Sequence, residues 1–213
     1  MLLRAMTRAA AVLAVFAAAG VLLIALTHAA TRERIAEVER QALLHSLHAV
    51  VSPEAHDNDP VADMIEVREA RLLGTEAPVP AYRARRAGAP VAVILTPVAP
   101  DGYAGSIKLM VAVNHDGTLA GVRVLAHRET PGLGDLVEER RSSWVTRFTG
   151  RSLADPAPDR WKVKKDGGAF DQFTGATITP RAVVKAVKNA LEYFGSHRDE
   201  LFAPASGGSP AAR

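Results

Sequence analysis

The sequence predicts an α+β protein: a single N-terminal transmembrane helix, then a domain with a mainly antiparallel sheet and flanking helices. Three observations support this. Residues 9–30 form an apolar run without formal charge, short strand-like runs with a hairpin turn follow from Val61, and an amphipathic helix comes last.

The apolar run has 22 residues. At about 1.5 Å per residue it crosses the roughly 30 Å hydrocarbon layer, which makes the lipid bilayer an expected partner. Thr27-His28-Ala29 is a weak match to a signal-peptide cleavage site. However, the run is longer than the roughly 7–15 residues of a signal peptide's apolar segment, which favours a retained anchor.

The basic residues around this run predict its orientation. Arg4 and Arg8 lie in the short tail 1–8, which favours a cytoplasmic tail, whereas Arg32 and Arg34 oppose this. A long following domain translocates largely regardless of its charge. We therefore expect the bulk of the chain to be extracytoplasmic.

Composition argues against several classes of binding partner and cofactor. The chain has 26 basic and 23 acidic residues, a net charge of +3, and its arginine clusters are small, so no nucleic-acid partner is expected. Cysteine is absent, which excludes disulfides, cysteine-ligated zinc, iron–sulfur clusters and covalent haem. Pro53 separates His56 from His45 and His48, so we expect no metal site there.

Periodicity predicts the remaining elements. Residues 31–51 continue as a helix, whose apolar stripe packs either on the soluble domain or on another protein of a complex. A linker follows to residue 60. Runs at 91–95, 107–113 and 119–125 indicate strands, the last two joined by the hairpin turn Asn114–Gly117.

Two further helices are expected. One covers Asp135–Phe148; the other has Thr179 as N-cap and Pro180 at its first position, and Gly195 ends it. Residues 61–203 then form one domain, and the Ala-, Ser-, Gly- and Pro-containing tail 204–213 is expected to be disordered.

Residues 171–179, Asp-Gln-Phe-Thr-Gly-Ala-Thr-Ile-Thr, directly precede the last helix. A helix N-terminus favours an anion, Gly175 permits close approach, and Thr174 and Thr179 offer hydroxyls. The alternative interpretation is an ordinary glycine turn before a threonine cap. A second stretch, Glu129 to Gly134 (Glu-Thr-Pro-Gly-Leu-Gly), predicts a tight loop but lacks the features of a phosphate-binding P-loop.

The pattern Asp-x-x-Ser/Thr-Gly-Ala-Thr resembles the site at which a flavin transferase attaches FMN, through its phosphate, to a threonine. Nearly the whole chain is similar to a covalent-FMN family that includes the G subunit of Rnf/Rsx-type ion-translocating complexes and a flavin-carrying subunit of the sodium-pumping NADH:quinone reductase. Length favours the Rnf subunit. The resemblance rests on residues in matching order: Gly102-Tyr103-x-Gly105-x-Ile107, Asp116-Gly117, Gly121-Val122-Arg123-Val124, Glu129–Gly134, Trp144, Phe148 and Asp171–Thr179.

The resemblance implies a covalent FMN on Thr177 and an electron-carrier subunit of a ferredoxin/NAD oxidoreductase complex. It adds other subunits and a flavin transferase as partners, and a single-pass location in the bacterial inner membrane with a periplasmic domain. The sequence shows no nucleophile–base pair for turnover of a small substrate, so no catalytic residue is expected. Beside Thr177, the implied cofactor-binding residues are Asp171, Thr174, Gly175, Ala176, Thr179, Glu129, Thr130, Pro131, Gly132 and Leu133.

Two other functions remain open from the residues alone. A flavin reductase acting by itself would carry a nicotinamide-binding Gly-x-Gly-x-x-Gly, which the chain lacks. A non-redox scaffold protein would use the nonapeptide only as a turn. The presence or absence of a bound flavin separates these functions.

Overall fold

The computed structural model describes residues 2–203, which fall into two compact units, one up to Leu43 and one from Leu44 onward. The first unit lies within helix α1, Leu2–His48, which is continuous over 47 residues. This confirms that the apolar run continues as a helix. The stretch Met6–His48 is long and apolar enough to cross a membrane, with a mean hydropathy of 2.7 in its most apolar window.

The second unit contains a six-stranded antiparallel sheet, as predicted. Strand β5 lies at its centre: β3 and β4 pair with one edge and β6 with the other, while β2 and β1 extend the sheet beyond β3. The elements of this unit are β1 (Met64–Val67), α2 (Ala70–Leu73), β2 (Val79–Arg86), β3 (Ala89–Leu95), β4 (Val98–Ala99), β5 (Ile107–Asn114), β6 (Leu119–Ala126) and α3 (Ile178–Phe202).

The sheet is buried on both faces. On one face its apolar side chains share a core with helix α3, through a stripe of Val183, Val187, Ala190, Leu191 and Phe194. On the other face, the segment that follows α1 approaches the sheet so closely that a Cβ on Gly121 would lie 3.1 Å from Val50 Cα. Leu47, Val50 and Val51 are buried there, whereas Ile35 and Val38 of the predicted stripe are 48% and 51% exposed.

Two predicted helices differ from those observed. Asp135–Phe148 is not one helix but two 3₁₀ turns, Gly134–Val137 and Val145–Phe148, because the backbone becomes extended at Glu138 (ψ 136°). The hydroxyl of Ser142 then donates to the Leu136 carbonyl at 2.6 Å and closes the intervening turn.

Helix α3 does not end at Gly195. It continues to Phe202, with a kink at His197 (φ −124°, ψ 17°), because Gly195 lacks the left-handed backbone of a helix stop and Leu201 beyond it is buried. The predicted disordered tail, 204–213, lies outside the described residues.

Two arginines of strand β2 hold the end of α3. Arg83 is 2% exposed and donates to the carbonyls of Ala203 (2.7 Å) and Asp63 (3.1 Å), and Arg85 donates to the carbonyl of Phe202 at 3.0 Å. Both guanidinium groups also pair with the Asp63 carboxylate. Positive charge at a helix C-terminus offsets the helix dipole, so this cluster fixes the helix by charge and by hydrogen bonds.

We expect Arg83→Met to destabilise the chain by about 3 kcal/mol, since it removes the donor to the Ala203 and Asp63 carbonyls and the buried partner of the Asp63 carboxylate. Arg86→Met is the matched control, because Arg86 is exposed on the same strand. Chemical denaturation of both variants in detergent measures the difference. Equal midpoints would show that the cluster does not stabilise the fold.

Candidate cofactor site

A pocket of about 190 Å³ lies between the loop after β6, the turn before β5 and the start of α3. It brings together seven of the residues that the resemblance implies: Glu129, Thr130, Leu133, Gly175, Ala176, Thr177 and Thr179. Three further lining residues, Tyr103, Gly134 and Ile178, were not singled out as site residues. Asp171, Thr174, Pro131 and Gly132 do not line it.

The buried carboxylate of Glu129 joins the three walls of this pocket. Glu129 is 5% exposed, and its Oε1 accepts the backbone N–H of Ala104 at 3.0 Å. Its Oε2 accepts the hydroxyl proton of Thr179, which is fully buried in the first turn of α3. These bonds compensate for the burial of the carboxylate and tie the loop, the turn and the helix together.

Glycine is required beside this carboxylate because there is no room for a side chain. A Cβ on Gly134 would lie 2.7 Å from Glu129 Oε2 and 2.9 Å from Thr179 Oγ1. A Cβ on Gly102 would lie 2.1 Å from the Gly105 carbonyl oxygen. These two glycines therefore allow three backbone segments to converge on one side chain.

The loop from Thr130 to Gly134 is held by its own backbone. The N–H groups of Leu133 and Gly134 both donate to the Thr130 carbonyl at 3.1 Å. Gly132 adopts φ +78° and donates its N–H to Asp135 Oδ1 at 2.7 Å, and Asp135 is itself buried. The loop is therefore a preformed wall.

His127 connects this wall to the chain beyond it. Its Nδ1 accepts the backbone N–H of Glu129 at 3.0 Å, which assigns the ring proton to Nε2. Nε2 lies 2.6 Å from Glu138 Oε1, so it donates to that carboxylate. The hydrogen bond from Arg140, with a smaller one from His127, lowers the pKa of Glu138 to about 2.

The motif segment forms a turn before α3. The Ala176 N–H donates to the Phe173 carbonyl at 3.1 Å, and Gly175 occupies the third position with φ +81°, where a side chain would be strained. Thr174 and Gly175 are exposed at the tip. Before the turn, the Asp171 carboxylate pairs with Arg147 and with Lys164, which is 2.5 Å away.

Thr177 follows this turn and precedes the first residue of α3. It is half-buried, lines the pocket, and its hydroxyl takes part in none of the hydrogen bonds found among residues 2–203. Among the described residues no side chain caps this helix end, and its first backbone N–H groups have no partner within the helix itself. A free hydroxyl therefore lies beside a helix terminus that favours negative charge.

The predicted N-cap role of Thr179 is wrong. The helix begins at Ile178, and the Thr179 hydroxyl donates to Glu129 instead of accepting a backbone N–H at the start of the helix. Pro180 falls third in the helix, still within the first turn, where its missing N–H breaks no helical bond. Whether Thr179 also contacts a cofactor remains a prediction.

Apolar side chains are exposed around the pocket. Tyr103, Leu133 and Ile178 are 68%, 42% and 44% exposed. Most large apolar side chains of this unit are buried, so a patch of three at one pocket fits a planar apolar ligand. In contrast, residues 2–203 contain no cluster of three or more His, Asp or Glu side chains arranged to hold a metal ion.

An antiparallel domain behind an apolar helix, with a preformed pocket beside a free threonine, defines a membrane-anchored cofactor-binding protein. Comparison with protein families agrees. The sequence-family model for the FMN-binding domain matches residues 102–192, which include the whole pocket. The family model for the RnfG N-terminal region matches residues 1–50.

The chain belongs to the RnfG family, the G subunits of ion-translocating oxidoreductase complexes. A relative from Pseudomonas aeruginosa that carries this name is 52% identical over 201 residues, covering 94% of each chain. Relatives of the same name from Vibrio cholerae and Shewanella baltica are 50% and 48% identical, covering 94% and 89% of this chain and 95% and 90% of their own. The protein is therefore a membrane protein with an FMN-binding domain suited to carrying electrons.

We expect Gly134→Ala to destabilise the domain by about 1–3 kcal/mol, because the new methyl group forces Glu129 and Thr179 apart. Gly195→Ala is a control of opposite sign: it lies inside α3 with open space around it, and should stabilise by up to about 1 kcal/mol. Thermal denaturation of both variants tests this. A neutral Gly134→Ala would show that the wall can relax.

The lowered pKa of Glu138 gives a pH dependence with a definite sign. The pKa of Glu138 is lower in the folded chain than its ordinary value of 4.5, so its ionised carboxylate stabilises the fold at pH values above 4.5. That stabilisation is lost as the pH falls toward about 2. We expect Glu138→Gln to be less stable than wild type at neutral pH and to show a shallower decline between these values. Denaturation midpoints across that range measure it, and parallel curves would contradict the assignment.

Proposed function

We propose that Thr177 carries FMN as a phosphoester and that the protein transfers electrons within a membrane-bound ferredoxin/NAD oxidoreductase complex. The observation that carries this proposal is the hydroxyl of Thr177, which has no hydrogen bond among residues 2–203 and lies at the pocket beside the uncapped start of α3. A phosphodiester there keeps one negative charge next to unpaired N–H groups.

The residues present fit a flavin mononucleotide. The exposed apolar side chains of Tyr103, Leu133 and Ile178 suit a planar ring, and Gly175 leaves the approach to Thr177 open. A pocket of about 190 Å³ is smaller than the roughly 300 Å³ or more that encloses a whole organic ligand. A flavin held at Thr177 would therefore remain partly uncovered, as exchange of electrons with a partner requires.

The chain's own residues supply position and electrostatics, while the flavin supplies the redox chemistry. Glu129 fixes the relation between the loop wall and the first turn of α3 through Thr179. The carboxylate of Glu129 accepts hydrogen bonds from two donors, the Thr179 hydroxyl and the Ala104 N–H. These bonds offset the repulsion that its negative charge would exert on a nearby phosphate. No side chain is needed as a nucleophile toward substrate, and Thr177 serves as the acceptor that a flavin transferase modifies.

We place the domain, residues 61–203, on the periplasmic side of the bacterial inner membrane, with residues 9–30 as a single span and 31–60 between them. The short basic tail 1–8 supports this orientation. The relatives carry the name of one component of an ion-translocating complex. Their name favours an electron-carrier subunit of such a complex over a reductase acting alone and over the sodium-pump protein.

The test is the intact mass of the full chain after co-expression with an active flavin transferase. We expect wild type to gain one FMN less water and to keep its flavin after denaturation, and Thr177→Val to gain nothing. Thr149→Val is the matched control, because Thr149 is an exposed threonine outside the motif, and it should be modified like wild type.

An unmodified wild-type chain under these conditions would contradict the covalent attachment. A Thr177→Val chain that still carries covalent flavin would contradict the assignment of the residue. Thr177→Ser, which keeps the hydroxyl, should retain the modification.

A further inference from the structure

We infer that Arg147 and Lys164, two cations outside the nonapeptide, are positioning residues for flavin attachment and act on Thr177 through Asp171. This rests on the covalent attachment proposed above. It changes the role of Asp171 within the motif: its carboxylate holds the acceptor segment in place instead of being a contact for the modifying enzyme.

The Asp171 carboxylate is engaged at both oxygens. Arg147 Nη1 donates to Oδ2, and Lys164 Nζ lies 2.5 Å from Oδ1. The backbone is held as well, since Trp144 Nε1 donates to the Asp171 carbonyl at 2.7 Å. Arg147 and Trp144 belong to the 3₁₀ turn region around Val145–Phe148, and Lys164 begins another short turn, so two separate segments converge on one residue.

Thr177 lies between two fixed points. Asp171 is the first, six residues before it, and Thr179, bonded to the buried carboxylate of Glu129, is the second, two residues after it. Phe173, between them, packs its ring against Trp144 with centroids 5.3 Å apart. The tip of the turn, Thr174 and Gly175, is exposed. Loss of the ion pairs to Asp171 lengthens the mobile segment that carries the Thr177 hydroxyl. It therefore lowers the fraction of chains in the reactive geometry.

Direct contact between Asp171 and a transferase would require the carboxylate to give up these partners. Asp171 is 33% exposed and is covered by Arg147 and Lys164, whose own side chains are 60% and 57% exposed. An enzyme that contacts this carboxylate therefore also meets the two exposed cations paired with it. The geometry points to an indirect role for the acid.

The step that these residues support is a phosphoryl transfer. The Thr177 hydroxyl oxygen forms a bond to the flavin-bearing phosphorus of a flavin dinucleotide, whose pyrophosphate bond breaks. The nucleoside monophosphate leaves with the electron pair of that bond, and the threonine proton passes to a base of the transferase. No electron enters or leaves the flavin, and Asp171 takes no proton.

The experiment measures the initial rate of flavin incorporation into the full chain in detergent, with a flavin transferase and flavin dinucleotide. We expect Arg147→Met and Lys164→Met each to slow incorporation by about two- to fivefold, and the double variant by about five- to twentyfold, as for the loss of exposed ion pairs. The conservative variants Arg147→Lys and Lys164→Arg should restore most of the rate, because they keep the charge.

Arg151→Met and Lys165→Met are the matched controls. Arg151 is an exposed arginine paired with Asp155 just after the same turn, and Lys165 is the exposed neighbour of Lys164 with no ion pair to Asp171. Both should be modified at the wild-type rate. Normal incorporation into the Arg147→Met/Lys164→Met chain, together with its loss in Asp171→Asn, would overturn the inference and assign Asp171 to direct contact.

Amide hydrogen exchange of the unmodified chains gives a second readout that does not depend on flavin. We expect residues 172–177 to exchange faster in the double variant than in either control, whereas helix α3 beyond Arg181 should be unchanged. Unchanged exchange at 172–177 would overturn the positioning role. An unmodified wild type with faster exchange in the double variant would instead refute the attachment and retain the anchoring.

Discussion

The candidate site depends on one buried carboxylate. Glu129 accepts a hydrogen bond from the turn before β5 and another from the first turn of α3, and it belongs to the loop after β6. These segments are far apart in the sequence, and this one side chain bonds to two of them from the third. Because a buried carboxylate is costly without donors, the three segments are held together by the requirement to satisfy it.

This arrangement explains why the neighbouring residues are small or conformationally special. Gly134 and Gly102 leave the space through which the segments approach, and Gly175 allows the turn that presents Thr177. The Thr179 hydroxyl donates to the Glu129 carboxylate, whereas the Thr177 hydroxyl makes no hydrogen bond among residues 2–203. These features support the flavin attachment proposed above: the hydroxyl has no hydrogen bond among residues 2–203, and the pocket is too small to enclose a whole flavin.

The C-terminal end of α3 is held by arginine side chains instead of by a carboxylate. Arg83 and Arg85 hold its last carbonyls and share Asp63, so the helix is anchored by a carboxylate near Thr177 and by arginines at its C-terminus. The sequence shows these arginines only as part of a small basic cluster. Their burial could not be predicted, because it depends on the end of α3 reaching strand β2, more than a hundred residues away in the chain.

Local patterns in the sequence determined the membrane helix, the β5–β6 hairpin, the last helix and the turn before it, because apolar periodicity and turn chemistry act over a few residues. The resemblance of the motif and the Glu129–Gly134 loop to a flavin family added the cofactor. Tertiary structure decided what each residue does there. It replaced the helix at 135–148 with two turns, extended α3 past Gly195, and moved Thr179 from a helix cap to the partner of Glu129. It also brought Tyr103 and Ile178 to the pocket and Arg147 and Lys164 to Asp171. These contacts join segments distant in sequence, and only the packing of the whole chain selects them.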